Sequence, residues 1–250
     1  MKPYLYAEKI QFKVKERNEP IISETTLNID EEEFVVVLGT NGSGKSTLIK
    51  ILASYLKPTS GRVFLDQVRI DKLPQSQKAN MLLTITQKAE DRLFLELTLE
   101  ENITLWESRF PANERKTNKE VLELTGLSKR FLSRLTQPLS NFSGGEKQLI
   151  LLALAISHPP KILFLDEHTA SLDPKASHEV MKKTAEIIDE YKITAVMITH
   201  NLEDAVNYGT RLIVLDGGKV AQDYLKPSAF SMRELKKILG MKVYNEDSLG

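Results

Sequence analysis

The segment "GTNGSGKST", Gly39 to Thr47, is spaced to hold phosphate. It follows an apolar run suited to a buried strand and opens a helical pattern, the context that G-x-x-x-x-G-K-[ST] requires. Gly39, Thr40, Asn41, Gly42, Ser43 and Gly44 let backbone N–H groups wrap a polyphosphate. Lys45 neutralises the β- and γ-phosphates, Ser46 holds Mg²⁺, and Thr47 closes the motif. Downstream, "ILFLDE" ends a buried strand in two carboxylates. Asp166 suits Mg²⁺, directly or through water. Glu167 then faces the γ-phosphate and takes a proton from attacking water.

A second stretch, "NFSGGEKQ" at residues 141–148, looks like half of another phosphate site. Ser143 and Glu146 have the spacing of a helix capping box, with Gly144 and Gly145 between them. A helix N-terminus presents free N–H groups and partial positive charge to an anion. Gln87 ends the run "LLTITQ" and His200 ends "TAVMITH"; alone, neither residue means much.

The chain that positions these groups has 250 residues, 41% hydrophobic and 27% charged, ordinary for a globular protein. Lys plus Arg equals Asp plus Glu, so there is no basic footprint for nucleic acid. The absence of cysteine excludes disulfides, iron–sulfur ligation and thiolate zinc sites. "MKPYLYAEKIQF" lacks the apolar core of a signal peptide. The longest apolar run, Leu149 to Ile156, is too short to span a bilayer. A role at a membrane therefore calls for a partner.

The pattern predicts a strand in "EKIQFKV", a solvated turn at Asp30–Glu33 and a buried strand from Phe34 to Leu38. A helix follows from Lys45 to about Leu56. "GRVFLDQVRI" reads as an antiparallel pair and "NMLLTIT" as a strand. From about Lys88 to Ser157 the texture is helical: Thr98 with Glu101 caps one helix, "NKEVLELTGL" forms another, and Ser143 opens a third. "KILFLD" is a buried strand. Asp173 before Pro174 opens a long helix to about Tyr191. "TAVMITH" and "RLIVLDGG" are strands, and the tail from Ser231 is helical. Alternating βα elements with a helical insert point to an α/β nucleotide-binding core bearing a helical lobe.

The ordered set of phosphate loop, Gln87, "FSGGE", "LFLDE", "SLD" and His200 resembles the ATP-binding subunit of ABC transporters, from about residue 4 to 228. The resemblance implies an α/β phosphate-loop NTPase (RecA-like) core with an N-terminal antiparallel β subdomain and an inserted α-helical subdomain. The chain is then one ABC ATPase domain, 1–250, with its core at about 1–87 and 160–230, the helical subdomain at 88–159 and a tail at 231–250. It implies ATP and Mg²⁺ as ligands. Gln87 is expected to touch the metal and attacking water and to sense the membrane partner, and His200 to contact the γ-phosphate. Asp173 communicates across a dimer. Two copies pack head to tail, so that the turn at Ser143 of one caps the γ-phosphate held by the other. Transmembrane permease subunits and an extracytoplasmic solute-binding protein complete the system, with this subunit on the cytoplasmic face; nucleic acid is not a partner.

Four positions depart from the pattern. Val14 stands where a tyrosine commonly stacks on adenine. Phe142 replaces the usual leucine and Glu146 the usual glutamine of the signature. His168 stands where proline normally follows the carboxylates, in a structural role or as a further acid–base. "DEHTASLDPK" resembles a bacterial uptake subgroup suggested to carry tryptophan or related amino acids. The alternative class is a soluble ABC ATPase of cofactor assembly. "LFLELTLEENITLW" is apolar enough for a docking patch, or else fills the helical lobe.

Overall fold

The computed structural model describes residues 3–16, 18–226, 229 and 232–238. The chain runs through β1 (Leu5–Phe12), β2 (Ile22–Ile29), β3 (Phe34–Leu38), α1 (Lys45–Leu52), β4 (Ser60–Leu65), β5 (Val68–Arg69), α2 (Gln75–Met81) and β6 (Leu82–Thr86). Then come α3 (Leu99–Glu107), α4 (Asn118–Glu123), α5 (Ser128–Phe131), α6 (Gly144–Ser157), β7 (Ile162–Asp166) and α7 (Pro174–Glu190). It continues with β8 (Thr194–Ile198), α8 (Leu202–Tyr208), β9 (Arg211–Asp216), β10 (Lys219–Leu225) and α9 (Met232–Ile238). Two compact units result: the described residues up to Leu73 with those from Val196, and Pro74–Ala195.

In the first unit, β2-β1-β4-β5 form an antiparallel sheet, with Leu5 opposite both Ile29 and Leu65. Thr25, Leu27 and Ile29 of β2 alternate inward, the period-2 pattern of a half-buried strand. The phosphate loop springs from β3, whose five apolar side chains are all buried. Each such side chain contributes about 1.5–3 kcal/mol relative to exposure. β3 lies parallel to β9, which pairs antiparallel with β10.

In the first unit several details differ from the sequence expectation. α1 stops at Leu52 rather than Leu56, because Ser54 turns left-handed at φ 61° and the N–H groups of Tyr55 and Leu56 both return to Lys50 O. Within the acidic turn, Glu33 accepts from the Arg211 Nη1, 3.1 Å away, so it is an ion-pair member and not merely solvated. α8 and β10 carried no apolar pattern that announced them. The strand before His200 ends at Ile198, leaving His200 exposed in the loop before α8.

In the second unit, β6 and β7 pair in parallel from Leu82↔Ile162 to Thr86↔Asp166. Asn80 and Met81 belong to α2, not to the strand, which ends at Thr86, one residue before Gln87. α6 is buried continuously from Gln148 to Ser157, as befits a helix that is apolar nearly all round. The expected capping boxes at Thr98–Glu101 and Ser143–Glu146 are both formed, and Thr117–Glu120 makes a third. In the apolar stretch after Gln87, Leu93, Leu99, Ile103 and Trp106 are buried, whereas Phe94 and Leu105 are exposed. Half of the apolar side chains of that stretch thus fill the lobe. Among the described residues no helix is long and apolar enough to cross a membrane.

Candidate nucleotide-binding site

The phosphate loop in the first unit is built around close backbone approaches. A Cβ on Gly39 would meet Leu215 O at 2.2 Å. Gly44 caps α1 at φ 101°, and a Cβ there would meet Ile21 O at 2.8 Å. Gly218 N donates to Ser43 O at 3.1 Å, fastening the β9–β10 turn to the loop. Lys45 is 6% exposed, and its Nζ donates to Gly39 O at 2.9 Å and Thr40 O at 3.0 Å. Its ammonium thus folds back across the loop. Thr40, Asn41 and Gly42 are exposed, while Ser46 and Thr47 are half-buried in the first turn of α1. Ser43 Oγ is buried with no hydrogen-bond partner. An orphaned hydroxyl, a buried ammonium and a helix N-terminus together fit a polyphosphate. Beside the loop, a cavity of about 430 Å³ is lined by Asn18, Ile21, Gly42, Gly217 and Gly218, among others. Val14 is half-buried in the segment after β1.

In the second unit, the register that sets Thr86 against Asp166 brings the next residues, Gln87 and Glu167, to the same end of the strand pair. Asp166 and Glu167 are half-buried. Glu167 is left-handed, φ 52°, a conformation that costs a non-glycine residue on the order of 1 kcal/mol and gathers at functional sites. Gln87 O accepts from Gln148 Nε2 at 3.0 Å and from Ser171 Oγ at 3.2 Å. Gln148, 2% exposed on α6, also donates to Thr86 O at 3.0 Å. Sequence reasoning missed Gln148 and Ser171; the signal for Gln148 was a polar residue inside an apolar helix.

The signature turn lies in the same unit. Ser143 and Gly144 are exposed at the start of α6. Ser143 Oγ accepts from Glu146 N at 3.2 Å, and Ser143 N donates to Glu146 Oε2 at 3.0 Å. Gly145 is needed for packing, since a Cβ would sit 3.0 Å from that of Ala176 on α7. Asp173 caps α7, its Oδ1 accepting from Ala176 N at 3.0 Å. The signature turn and the Asp173 turn are therefore packed together. His168 is 2% exposed, and burial lowers its pKa to about 4. Thr184 Oγ1 spends its proton on Val180 O, so His168 Nε2 donates to that hydroxyl. This neutral, buried ring is structural. Among the described residues no three or more His, Asp or Glu cluster as for a metal. Within the first unit, the Ser46 hydroxyl in the first turn of α1 is a donor of the kind that suits Mg²⁺ beside nucleotide phosphates.

A buried strand that delivers a glycine loop to a helix N-terminus, with a lysine folded over that loop, defines a phosphate-loop nucleoside triphosphatase. The chain belongs to the ABC transporter family, whose sequence model it matches over residues 22–170. It is 35% identical over 209 residues to a tyrosine transport ATP-binding protein of Clostridioides difficile, covering 81% of this chain and 83% of that one. It is 33% identical over 233 residues to the energy-coupling factor transporter ATP-binding protein EcfA2 of Caldanaerobacter subterraneus, covering 91% and 80%. Among solved structures, cbiO1 of Clostridium perfringens, part of the ABC transporter complex cbiONQ, superposes with a TM-score of 0.81 at 26% identity, covering 96% of this chain and 95% of that one. The dimeric post-hydrolysis cassette MJ0796, bound to ADP and Pi, gives 0.73 at 25% identity, with coverage of 88% and 98%. The chain is thus an ABC ATPase and the ATP-binding subunit of a transporter, and its α/β phosphate-loop fold is the one expected from sequence.

Proposed function

We propose that two copies of this chain close head to tail on two ATP molecules and that hydrolysis reopens them to drive import through separate membrane subunits. The observation that carries the reading is the coexistence of a built phosphate loop with a second, exposed helix N-terminus capped by Ser143. In each composite site Lys45 and the N–H groups of Gly39–Thr47 hold the β- and γ-phosphates. The partner's Ser143 and Gly145 cap the γ-phosphate. Ser46 and Asp166, with Gln87 beside them, would hold Mg²⁺, which would supply positive charge to the phosphates. Glu167 accepts the proton of the attacking water, His200 orients the γ-phosphate, and Asp173 links the two sites. Only ATP bridges both halves, so its cleavage changes the affinity between subunits.

Docking beneath permease subunits puts the chain on the cytoplasmic face of the membrane. Relatives named for tyrosine transport, for energy-coupling factor systems and for spermidine/putrescine import support an uptake role. An aromatic amino acid is the substrate class that the first of these and the "DEHTASLDPK" resemblance favour together. An extracytoplasmic solute-binding protein is the component these relatives support least. Affinity purification from native membranes tests the reading. The expected outcome is recovery of integral membrane subunits and ATPase activity that they stimulate. Recovery of an active, purely soluble assembly would point to cofactor assembly instead.

A further inference from the structure

We infer that Arg134 is a positioning residue of the signature turn, bracing both of its flanks and cancelling the charge of Glu146 where the partner's γ-phosphate arrives. This rests on the composite-site reading above. Arg134 Nη1 donates to Glu146 Oε1 at 2.7 Å, and its Nη2 donates to Asn141 O at 3.4 Å. Its guanidinium lies 3.9 Å from the centre of the Phe142 ring. A single side chain therefore grips residues on either side of Ser143–Gly145. Arg130 adds a second cation, 3.5 Å from Glu146 Oε1, and itself pairs with Glu179 at 2.6 Å. Two guanidiniums and two carboxylates leave the cluster neutral.

The division of labour at Glu146 explains why it needs this arrangement. Oε2 is committed to Ser143 N, which fixes the turn, and Oε1 is committed to the arginines. Burial pushes the Glu146 carboxyl up, but the Ser143 N–H and Arg134 outweigh it and hold the pKa below the usual carboxylate range. Glu146 is therefore an anion on the first turn of the helix that is to receive another anion. A carboxylate serves the helix N-terminus well but repels a γ-phosphate unless it is neutralised. Phe142 and Glu146, the two departures in this signature, are both partners of Arg134. A planar fork that stacks on a ring while binding a carboxylate is a task for arginine rather than lysine.

The test uses the full chain carrying Glu167→Gln, with ATP-dependent dimerisation read by gel filtration at low and high salt and thermal melting as the folding control. Arg134→Met is expected to weaken dimerisation by about tenfold or more, the scale of one exposed carboxylate set against a phosphate. High salt should recover part of the loss by screening. Adding Glu146→Gln to Arg134→Met should recover most of it, since the amide keeps the capping geometry without the charge. Arg134→Lys, which keeps the charge but loses the fork and the stack on Phe142, should fall between the parent and Arg134→Met at low salt. A loss in Arg134→Met that ignores both salt and Glu146→Gln, or an Arg134→Lys as impaired as Arg134→Met, would overturn the inference. Unchanged dimerisation in Arg134→Met would overturn the inference alone. A parent that never dimerises with ATP would overturn the composite-site reading and the inference together.

Discussion

Gln148 holds the main chain at Gln87: its Nε2 donates to Gln87 O and to Thr86 O, each at 3.0 Å. Gln148 sits on the helix that Ser143 opens, so the signature turn and the Gln87 segment share one buried polar clamp. Ser171, two residues before Asp173, adds a third bond to the same stretch. A shift at Gln87 therefore has a rigid path to the turn proposed to touch the partner's ATP.

Gln148→Leu removes the clamp, leaving Gln87 O with Ser171 as its side-chain donor and taking the side-chain donor from the half-buried Thr86 O. A loss of about 1–3 kcal/mol in urea unfolding is expected. Stimulation of ATPase activity by membrane subunits should fall by more than basal activity does. Equal losses in both would make Gln148 a stability residue only.

Glu167→Gln keeps the side chain's shape and the left-handed backbone but removes the proton acceptor. Steady-state hydrolysis should fall by about 10²-fold or more, the scale of general-base catalysis. ATP should then trap a dimer visible by gel filtration. Substantial retained turnover would take Glu167 out of the base role.

Lys45→Ala should fail earlier, at binding. The ammonium held between Gly39 O and Thr40 O is the charge nearest the proposed phosphates within its loop. Calorimetry is expected to show ATP affinity reduced by about tenfold or more. Unchanged affinity would contradict the loop's role.

What was legible in the sequence followed from strong local signals. β3 was readable to the residue because all five of its side chains are apolar and buried. Ser143, Thr98 and Asp173 announced their helices because caps are local chemistry. α2 was missed because it buries no side chain and so carries no apolar face, and β10 because its residues alternate between exposed and half-exposed. The brace at Arg134 and the clamp at Gln148 depend on tertiary contacts that no spacing rule encodes. Val14 stayed ambiguous because an aliphatic residue in a loop carries no signature of the base it would touch.

Acid sensitivity should have a source outside the nucleotide site. Glu107 is 3% exposed, and its Oε2 accepts from Lys116 N at 2.8 Å and lies 2.9 Å from His158 Nε2. Burial pushes its carboxyl up, but the Lys116 N–H and the His158 ring outweigh it, so its pKa is lowered from 4.5. Because the folded pKa lies below the unfolded one, the stabilisation is complete above the unfolded value and is lost as pH falls through the folded value. Glu107→Gln should be less stable than wild type at neutral pH and should lose less stability on acidification below about pH 4.5, the unfolded value. Urea unfolding across that range would show the two curves converging. Parallel curves would mean that Glu107 does not titrate differently in the folded state.

Ser143→Arg addresses the proposal that each site is shared. The phosphate loop lies in a different unit from Ser143 and is untouched, so ATP binding to the isolated subunit should stay near normal. Hydrolysis should collapse, because a long cationic side chain replaces the small hydroxyl that caps the γ-phosphate from the other subunit. Mixing Ser143→Arg with Lys45→Ala makes the test sharper. In a head-to-tail dimer both lesions fall into one composite site, and the other is assembled from two intact halves. Activity recovered in the mixture, with neither variant active alone, would establish assembly in trans, provided one intact site suffices for turnover. If Ser143→Arg instead lost ATP binding as a monomer, Ser143 would be serving its own chain's nucleotide, and the shared site would have to be abandoned.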